Sequence, residues 1–406
     1  MLDKKYIDKL TFIHDKLLEY FKINKHKGID WSSIKYGEKY LNYIEHKNKF
    51  VKKVKSSLVA RSFNFFGHTI LSFFEPIERK YFTKAICLYL MGRLRTNHLL
   101  DKDDLELLQI LKSKKINNSN LYAHDVSYKI LGSNITDRTP NLVTTYFVAD
   151  LYFNLYLVTN DEGYKNEFRL IIVDLLETIP FYRKSDKEIC FQYTPVSHYN
   201  VHNANLLFCE LLIKYNYLYP QGEYFAKNQK LIIQSLNYSI SDFKNTGTYF
   251  YAGPETRNKS IDNYHTGYVL RSLNEIKTYG QNIEELNLNL EIEKLLKFYI
   301  DTFIIKGKYI YKFRLKDIES HSLAESIIVF SIFNNYIDTK TKQIYLTKIF
   351  KTINILYDNK NNKFYNKVIT CMGVPIRKDK IDYIRWSQAW MFFAISLLLG
   401  NEQNDT

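Results

Sequence analysis

A chain of 406 residues with 46% hydrophobic content can bury a large core, and nothing in its composition signals disorder. Its 7 prolines and 14 glycines are scattered rather than gathered in runs, so no linker is marked and residues 1–406 are expected to form one domain. The 4 cysteines lack CxxC or His-paired spacing, signalling neither a disulfide framework nor a zinc site, and no metal or cofactor is expected.

The chain opens Met-Leu-Asp-Lys-Lys-Tyr, without the basic-then-apolar pattern of a signal peptide. Its longest apolar run, 390–399, is too short to span a bilayer, so a soluble, cytoplasmic protein is expected. An amphipathic helix is predicted over 4–21 and a second helical segment over 34–54. The formal charge of +14 and the run His46-Lys-Asn-Lys-Phe-Val-Lys-Lys-Val-Lys55 invite a nucleic-acid reading. Lys, Asn, Ile and Tyr are all over-used, however, so compositional bias explains much of the excess Lys, and the run reads as one solvated helix face. Nucleic acid is not the expected partner; an anionic substrate, or peripheral contact with the inner membrane surface, suits the charge better.

From residue 81 onward one event repeats. Polar groups give way to a helix near Tyr81, Asn141, Val201, Asp262, His321 and Asp382, at successive spacings of 60, 60, 61, 59 and 61 residues. These helices are apolar on nearly all faces, as in 323–333 and 390–399, which predicts inner helices buried among others. The intervening segments near 101–111, 164–176, 224–236, 283–303 and 343–356 carry apolar residues on one face and are predicted as outer helices. The sixth inner helix ends the pattern without an outer partner, so an N-terminal helix within 1–80 must close the ring. The expected fold is all-α, an (α/α)6 toroid in which 81–400 form the repeated hairpins. Alternating aromatics at Phe191-Gln-Tyr193, Tyr249-Phe-Tyr251, Tyr309-Ile-Tyr311 and Phe364-Tyr365 predict small β-hairpins at the inner-helix N-termini. Such a rim offers stacking surfaces for sugar rings.

The toroid would bring one set of polar groups to that rim. The inner-helix starts carry Thr144 and Thr145; His198, Asn200, His202, Asn203 and Asn205; Asp262, Asn263, Tyr264 and His265; Glu319, His321, Ser322 and Glu325; and Tyr383, Arg385, Trp386 and Gln388. Each alone reads as a cap or a core hydrogen bond, but four of the ten histidines fall at equivalent places in three repeats. Helix N-termini also favour anionic groups.

The stretches His198-Tyr-Asn-Val-His-Asn-Ala-Asn-Leu206, Ile261-Asp-Asn-Tyr-His-Thr-Gly-Tyr268, Glu319-Ser-His-Ser322 and Tyr383-Ile-Arg-Trp-Ser-Gln-Ala-Trp-Met391 resemble bacterial proteins of surface-polysaccharide gene clusters. That group is similar to the six-hairpin glycosidase-like superfamily, and the resemblance spans roughly residues 80–400. The pattern has Asp-Ile-His-Ser and Ala-Gln where this chain has Glu319-Ser-His-Ser322 and Ala324-Glu325. A looser resemblance reaches toroidal glycoside hydrolases, uronate lyases and sugar epimerases.

The resemblance implies a carbohydrate-active enzyme of surface-polysaccharide biosynthesis, acting on an oligosaccharide, polysaccharide or lipid-linked glycan of uronate type. For epimerase or lyase chemistry the base would be His265 or His202 and the acid Tyr264 or Tyr383, with His321 also catalytic and Arg385 and Asn203 holding the carboxylate. His198, Asn200, Asn263, Tyr249, Tyr251, Glu319, Glu325, Trp386 and Trp390 complete the expected substrate contacts. A glycoside hydrolase would instead use Asp262 with Glu325 or Glu319. A non-catalytic glycan-binding or assembly protein would use the rim alone.

Overall fold

A computed structural model describes residues 2–30, 48, 50–51, 54–55, 78–97, 99–130, 133–256, 260–280, 288–307, 316–371, 374–381 and 383–404. Most of the expected helical segment at 34–54, much of the lysine run, the Tyr309-Ile-Tyr311 hairpin and Asp382 lie outside those residues.

Twelve α-helices alternate between two layers among the described residues. The inner ones are α2 (Thr83–Asn97), α4 (Leu142–Thr159), α6 (His202–Leu218), α8 (Asn263–Tyr279), α10 (Ser320–Phe333) and α12 (Ala389–Asn404). Each touches its two neighbours, and α12 returns to α2, so the inner layer is a closed ring. The outer ones are α3 (Lys102–Lys112), α5 (Glu162–Thr178), α7 (Phe225–Thr246), α9 (Leu288–Tyr299, extended by a π turn over Ile300–Ile305) and α11 (Thr339–Leu356). The helix α1 (Lys4–Ile23) fills the remaining outer place against α12, burying Leu10, Ile13, Leu17 and Phe21.

Composition sorts the layers. The helix α4 buries nearly every residue from Leu142 to Leu155, whereas α5 buries only Phe168, Ile171, Ile172 and Leu175, one stripe at helical spacing. Of the described helices only α4 is long and apolar enough to cross a membrane, and 67% of it is buried inside the ring. The α2–α12 seam is close. A Cβ on Gly400 would lie 2.4 Å from the Arg95 carbonyl oxygen, and one on Gly92 would lie 2.8 Å from the Phe392 ring. The backbone amide of Leu2 donates to Glu402 Oε2 at 2.7 Å, so the two ends of the described chain meet.

All described strands lie in connections from an outer helix to the next inner one, which sets them on one face of the ring. β1 (Tyr128–Ile130) pairs with β2 (Ser133–Ile135), and β3 (Phe181–Ser185) with β4 (Glu188–Phe191), both antiparallel. β5 (Lys316–Glu319) pairs with β8 (Lys367–Cys371), which pairs with β9 (Val374–Lys378); β6 (Tyr357–Asp358) pairs with β7 (Lys363–Phe364). The expected hairpin at Tyr249-Phe-Tyr251 does not form. That segment runs in extended fashion past the head of α6, held by a bridge between Val201 and Ala252, because its rings pack sideways: Tyr249 on Phe243 and Phe298, Tyr251 on His265.

Deeper in the ring three inner helices are joined by buried charge. Lys214 of α6 reaches Glu210 at 2.6 Å, Asp150 of α4 at 2.7 Å and Glu275 of α8 at 3.0 Å, and the Tyr146 hydroxyl donates to Glu210 at 2.7 Å.

Candidate active site

The first residue of the candidate site is a helix cap with two tasks. Asp262 ends an extended segment before α8 and accepts the His265 backbone N–H at 2.9 Å, satisfying one of the orphan donors of the helix start. Its second oxygen lies 2.6 Å from His265 Nδ1. A carboxylate can only accept, so Nδ1 carries a hydrogen, and whenever the ring has one hydrogen its lone pair is on Nε2. The side chain of His265 is 21% exposed. It lies between the rings of Tyr251 and Tyr264, each 4.2 Å away centroid to centroid.

The stack continues into α10 and α12. His321 lies on Tyr264 at 4.3 Å and on Trp390 at 4.7 Å, so five rings from Tyr251 to Trp390 form one wall. The Nε2 atom of His321 is 3.0 Å from the Tyr268 hydroxyl, which is itself 3.2 Å from Lys84 Nζ. An amine donates here, so the tyrosine hydroxyl passes its hydrogen to His321 Nε2, and the hydrogen of the imidazole belongs on Nδ1. That Nδ1 is buried and has no hydrogen-bond partner among the described residues. Burial pushes the His321 pKa well below the ordinary imidazole value, and the nearby Lys84, His265, Arg271 and Arg385 push the same way. The ring is neutral near pH 7. The two imidazoles flanking Tyr264 are therefore opposite tautomers, one with a lone pair to offer and the other with an N–H.

The far side of the wall is cationic. Lys84, in the first turn of α2, sits 4.2 Å over Phe147 and 4.8 Å over Trp390, and burial lowers its pKa well below the ordinary lysine value, with Arg385 and Arg271 adding to the effect. Arg385, in the π turn Ile384–Gln388 that leads into α12, donates Nε–H to Asp30 at 2.7 Å, bonds His124 Nε2 through Nη1, and lies 4.8 Å over Trp386. Its Nη2 is buried without a partner among the described residues. A cavity of about 50 Å³ opens between these groups, Thr144 and Tyr193, and a second of about 10 Å³ lies between Asn203, Tyr249, Tyr251, Asp262 and His265.

The structure thus gathers Asp262, Tyr264, His265, His321, Asn203, Tyr249, Tyr251, Arg385, Trp386 and Trp390 along one wall of rings and the two cavities beside it. Others go elsewhere. His202 is not in the pit: it is fully buried between α6 and α7, with Nε2 2.8 Å from Asp242 and Nδ1 3.0 Å from Ser239. Tyr383 is fully buried beside the Ile29 bridge rather than open to the pit. His198 is exposed on a loop; Asn200 bonds Gln192 and Glu255; Asn263 donates to Ser326 of α10. Glu319 is paired with Lys367 at 2.9 Å, and Glu325, fully buried, is held by Arg271 at 2.7 and 3.2 Å. Burial raises the Glu325 pKa against the pull of Arg271. The sequence reading missed Lys84, His124, Tyr193 and Asp30. The signal for Lys84 was its place three residues past the first repeat mark, the offset of His265, Thr144 and Arg385 from theirs. Among the described residues no group of three or more His, Cys, Asp or Glu is placed to hold a metal ion.

No family model matches the sequence, and no curated protein matches it either. Solved structures do resemble it in shape. Cellobiose 2-epimerase from Bacillus thermoamylovorans B4167 superposes with a TM-score of 0.57 at 13% identity, over 78% of this chain and 87% of that one. A D-mannose isomerase gives 0.55 at 14% identity, over 77% and 86%. The fold is the (α/α)6 toroid. A family 76 glycoside hydrolase (mannosidase) from Bacteroides thetaiotaomicron VPI-5482 shares the toroid with a TM-score of 0.51 at 9% identity, over 80% and 87%. At such identities the likeness is one of fold.

Proposed function

We propose that this toroid is a carbohydrate-active enzyme that abstracts a proton from a sugar carbon next to a carboxylate, as an epimerase or lyase, in making a bacterial surface polysaccharide. The observation that carries the reading is a pair of differently bonded imidazoles. The Nδ1 of His265 lies 2.6 Å from Asp262, which leaves its Nε2 to accept; the Nε2 of His321 lies 3.0 Å from the Tyr268 hydroxyl, which assigns its hydrogen to Nδ1. Inversion at carbon needs a base and an acid that meet opposite faces of the sugar. His265 and His321 lie on one wall either side of Tyr264, so the sugar must present its two faces to them in turn. His265 takes the C–H proton, His321 returns one, and Tyr268 with Lys84 lies behind His321 to replace it. Sugar C–H faces fit the wall of stacked rings. The neighbours named as epimerase and isomerase support the reaction class by analogy of fold.

A hydrolase generally needs two carboxyl groups flanking the glycosidic bond. Asp262 already serves His265, Glu325 is clamped by Arg271 and Glu319 by Lys367, so the described residues offer no such pair. The resemblance of the rim motifs to surface-polysaccharide proteins supports a polymeric or lipid-linked glycan, handled in the cytoplasm at the membrane surface.

Incubation with uronate-containing glycans in deuterated water tests the chemistry. Deuterium should enter at the carbon beside the carboxylate, and His265→Ala should slow this by roughly 10²–10⁴-fold. Asp262→Asn keeps a good cap, so its melting temperature should stay close to that of the parent while exchange falls. New reducing ends without carbon label would overturn the proposal in favour of hydrolysis.

A further inference from the structure

Charge around the 50 Å³ cavity does not balance. Two cationic side chains, Lys84 and Arg385, line it, and the carboxylate bonded to either is Asp30, on Arg385. Arg271 and Glu325 neutralise each other in the next layer. His124 adds no charge: its Nε2 accepts from Arg385, and burial, with Arg385 and Lys84 nearby, pushes its pKa well below the ordinary value. Lys84 has no carboxylate partner among the described residues: burial and Arg385 push it toward the neutral amine, and an anion in this cavity, beside Tyr193, Trp386 and Trp390, would favour its charged form again.

Donors are also left over. Arg385 lines this space at 3% exposure, and its buried Nη2 has no partner among the described residues. Lys84 spends one of its three hydrogens on Tyr268. Thr144 stands in the first turn of α4, whose N-terminus points positive partial charge at the same space. An anion in this space would satisfy these donors and favour the charged form of Lys84.

We propose that this cavity is an oxyanion subsite that takes the carboxylate of an acidic sugar, held by Arg385 Nη2 and Lys84 Nζ. The inference rests on the proton-abstraction reading and sharpens it to a uronate. Trp390 is shared: Lys84 lies over it and His321 stacks on it, so a carboxylate bound here lies one ring away from the acid. The carbon bearing that carboxylate is then presented to the ring wall on which His265 and His321 lie either side of Tyr264. When His265 removes its proton, the C–H electron pair moves into the bond to the carboxylate carbon and its oxygens gain negative charge, which Lys84 and Arg385 stabilise. Return of a proton from His321 restores the carboxylate, with no atom gained or lost, and leaves the epimer when the sugar has turned its other face to the wall. The cavity has room for about one or two water-sized groups, which suits a planar carboxylate better than a phosphate.

Two of the chain's three tryptophans, Trp386 and Trp390, line the cavity, so intrinsic fluorescence reads its occupancy. Sodium glucuronate, glucose and inorganic phosphate are titrated at fixed ionic strength into the intact protein. Glucuronate is expected to bind about tenfold or more tighter than glucose, and Lys84→Met to remove that advantage while leaving glucose binding within about twofold. Lys84→Met should also melt no lower than the parent, because an apolar side chain of similar length replaces an amine whose charged form is disfavoured there; a structural lysine would show the reverse. Equal binding of glucuronate and glucose, binding of phosphate alone, or an unaltered Lys84→Met variant overturns the subsite. Glucuronate binding without deuterium exchange into any glycan would refute the proton-abstraction reading and leave the subsite standing. Exchange into neutral sugars alone would do the opposite.

Discussion

Glu325 illustrates how a residue that reads as catalytic can be held out of reach. Its carboxylate meets the Arg271 guanidinium through two hydrogen bonds, and the space above it exists because residue 267 is glycine, where a Cβ would lie 2.3 Å from Glu325 Cγ. Glu325→Ala should cost about 3–5 kcal/mol by leaving Arg271 buried and unpaired. Gly267→Ala should cost about 1–3 kcal/mol by overpacking. In the double variant the clash is gone, so urea melts should show a loss well below the sum; strict additivity would mean that the two residues do not share this space. Helix geometry explains which rim residues the sequence misplaced. His202 is the first residue of α6, and Asn263 the first of α8; His265 is the third of α8. Positions two apart on a helix point about 200° apart, so third residues face the axis when first residues face a neighbouring helix. Thr144 is likewise the third residue of α4, whereas Lys84 is the second of α2 and Arg385 lies in the π turn before α12. Lys84, Thr144, His265 and Arg385 each stand three residues past their repeat marks, and His202 one past its own.

At the level of elements the repeat was legible because each inner helix must be apolar all round and each must start at the same face. Helix starts expected near Tyr81, Asn141, Val201, Asp262 and His321 fall within about two residues of the observed ones. The extent of α7 was not legible: it runs on to Thr246, ten residues past the expected end, because its later turns bury Tyr238, Ile240 and Phe243 among polar residues such as Ser239 and Asp242 that serve His202. The hairpin at Tyr249-Phe-Tyr251 failed because alternation of aromatics cannot tell a paired strand from an extended segment with rings on both sides. The α2–α12 seam makes its own prediction. Gly400→Val would drive a side chain into the Arg95 carbonyl, so the denaturation midpoint should fall by about 1–3 kcal/mol, whereas an unchanged midpoint would mean that the two helices can part without loss.

The whole molecule carries a pH dependence in its interior. Three carboxylates, Glu210, Asp150 and Glu275, surround one ammonium, and burial pushes the most deeply placed, Glu210, up from 4.5 to about 7 against the pull of Lys214. Such a carboxyl keeps its proton in the fold where the unfolded chain has lost it. The stability it contributes is fully present below about 4.5 and is lost as pH rises through about 7. Between pH 6 and pH 8 the protein should lose on the order of 1 kcal/mol more than Glu210→Gln does, read as the difference in the slopes of melting temperature against pH; parallel slopes would place the proton elsewhere. Ring closure has a further consequence, one of time rather than energy. A polypeptide is made from one end, and the surfaces of α1 and α2 that face α12 have no partner until Ala389–Asn404 has been synthesised. The hairpins between can form as they emerge, but the ring can close only after nearly the whole chain has left the ribosome, and until then its apolar seam stands open to chaperones and to other nascent chains.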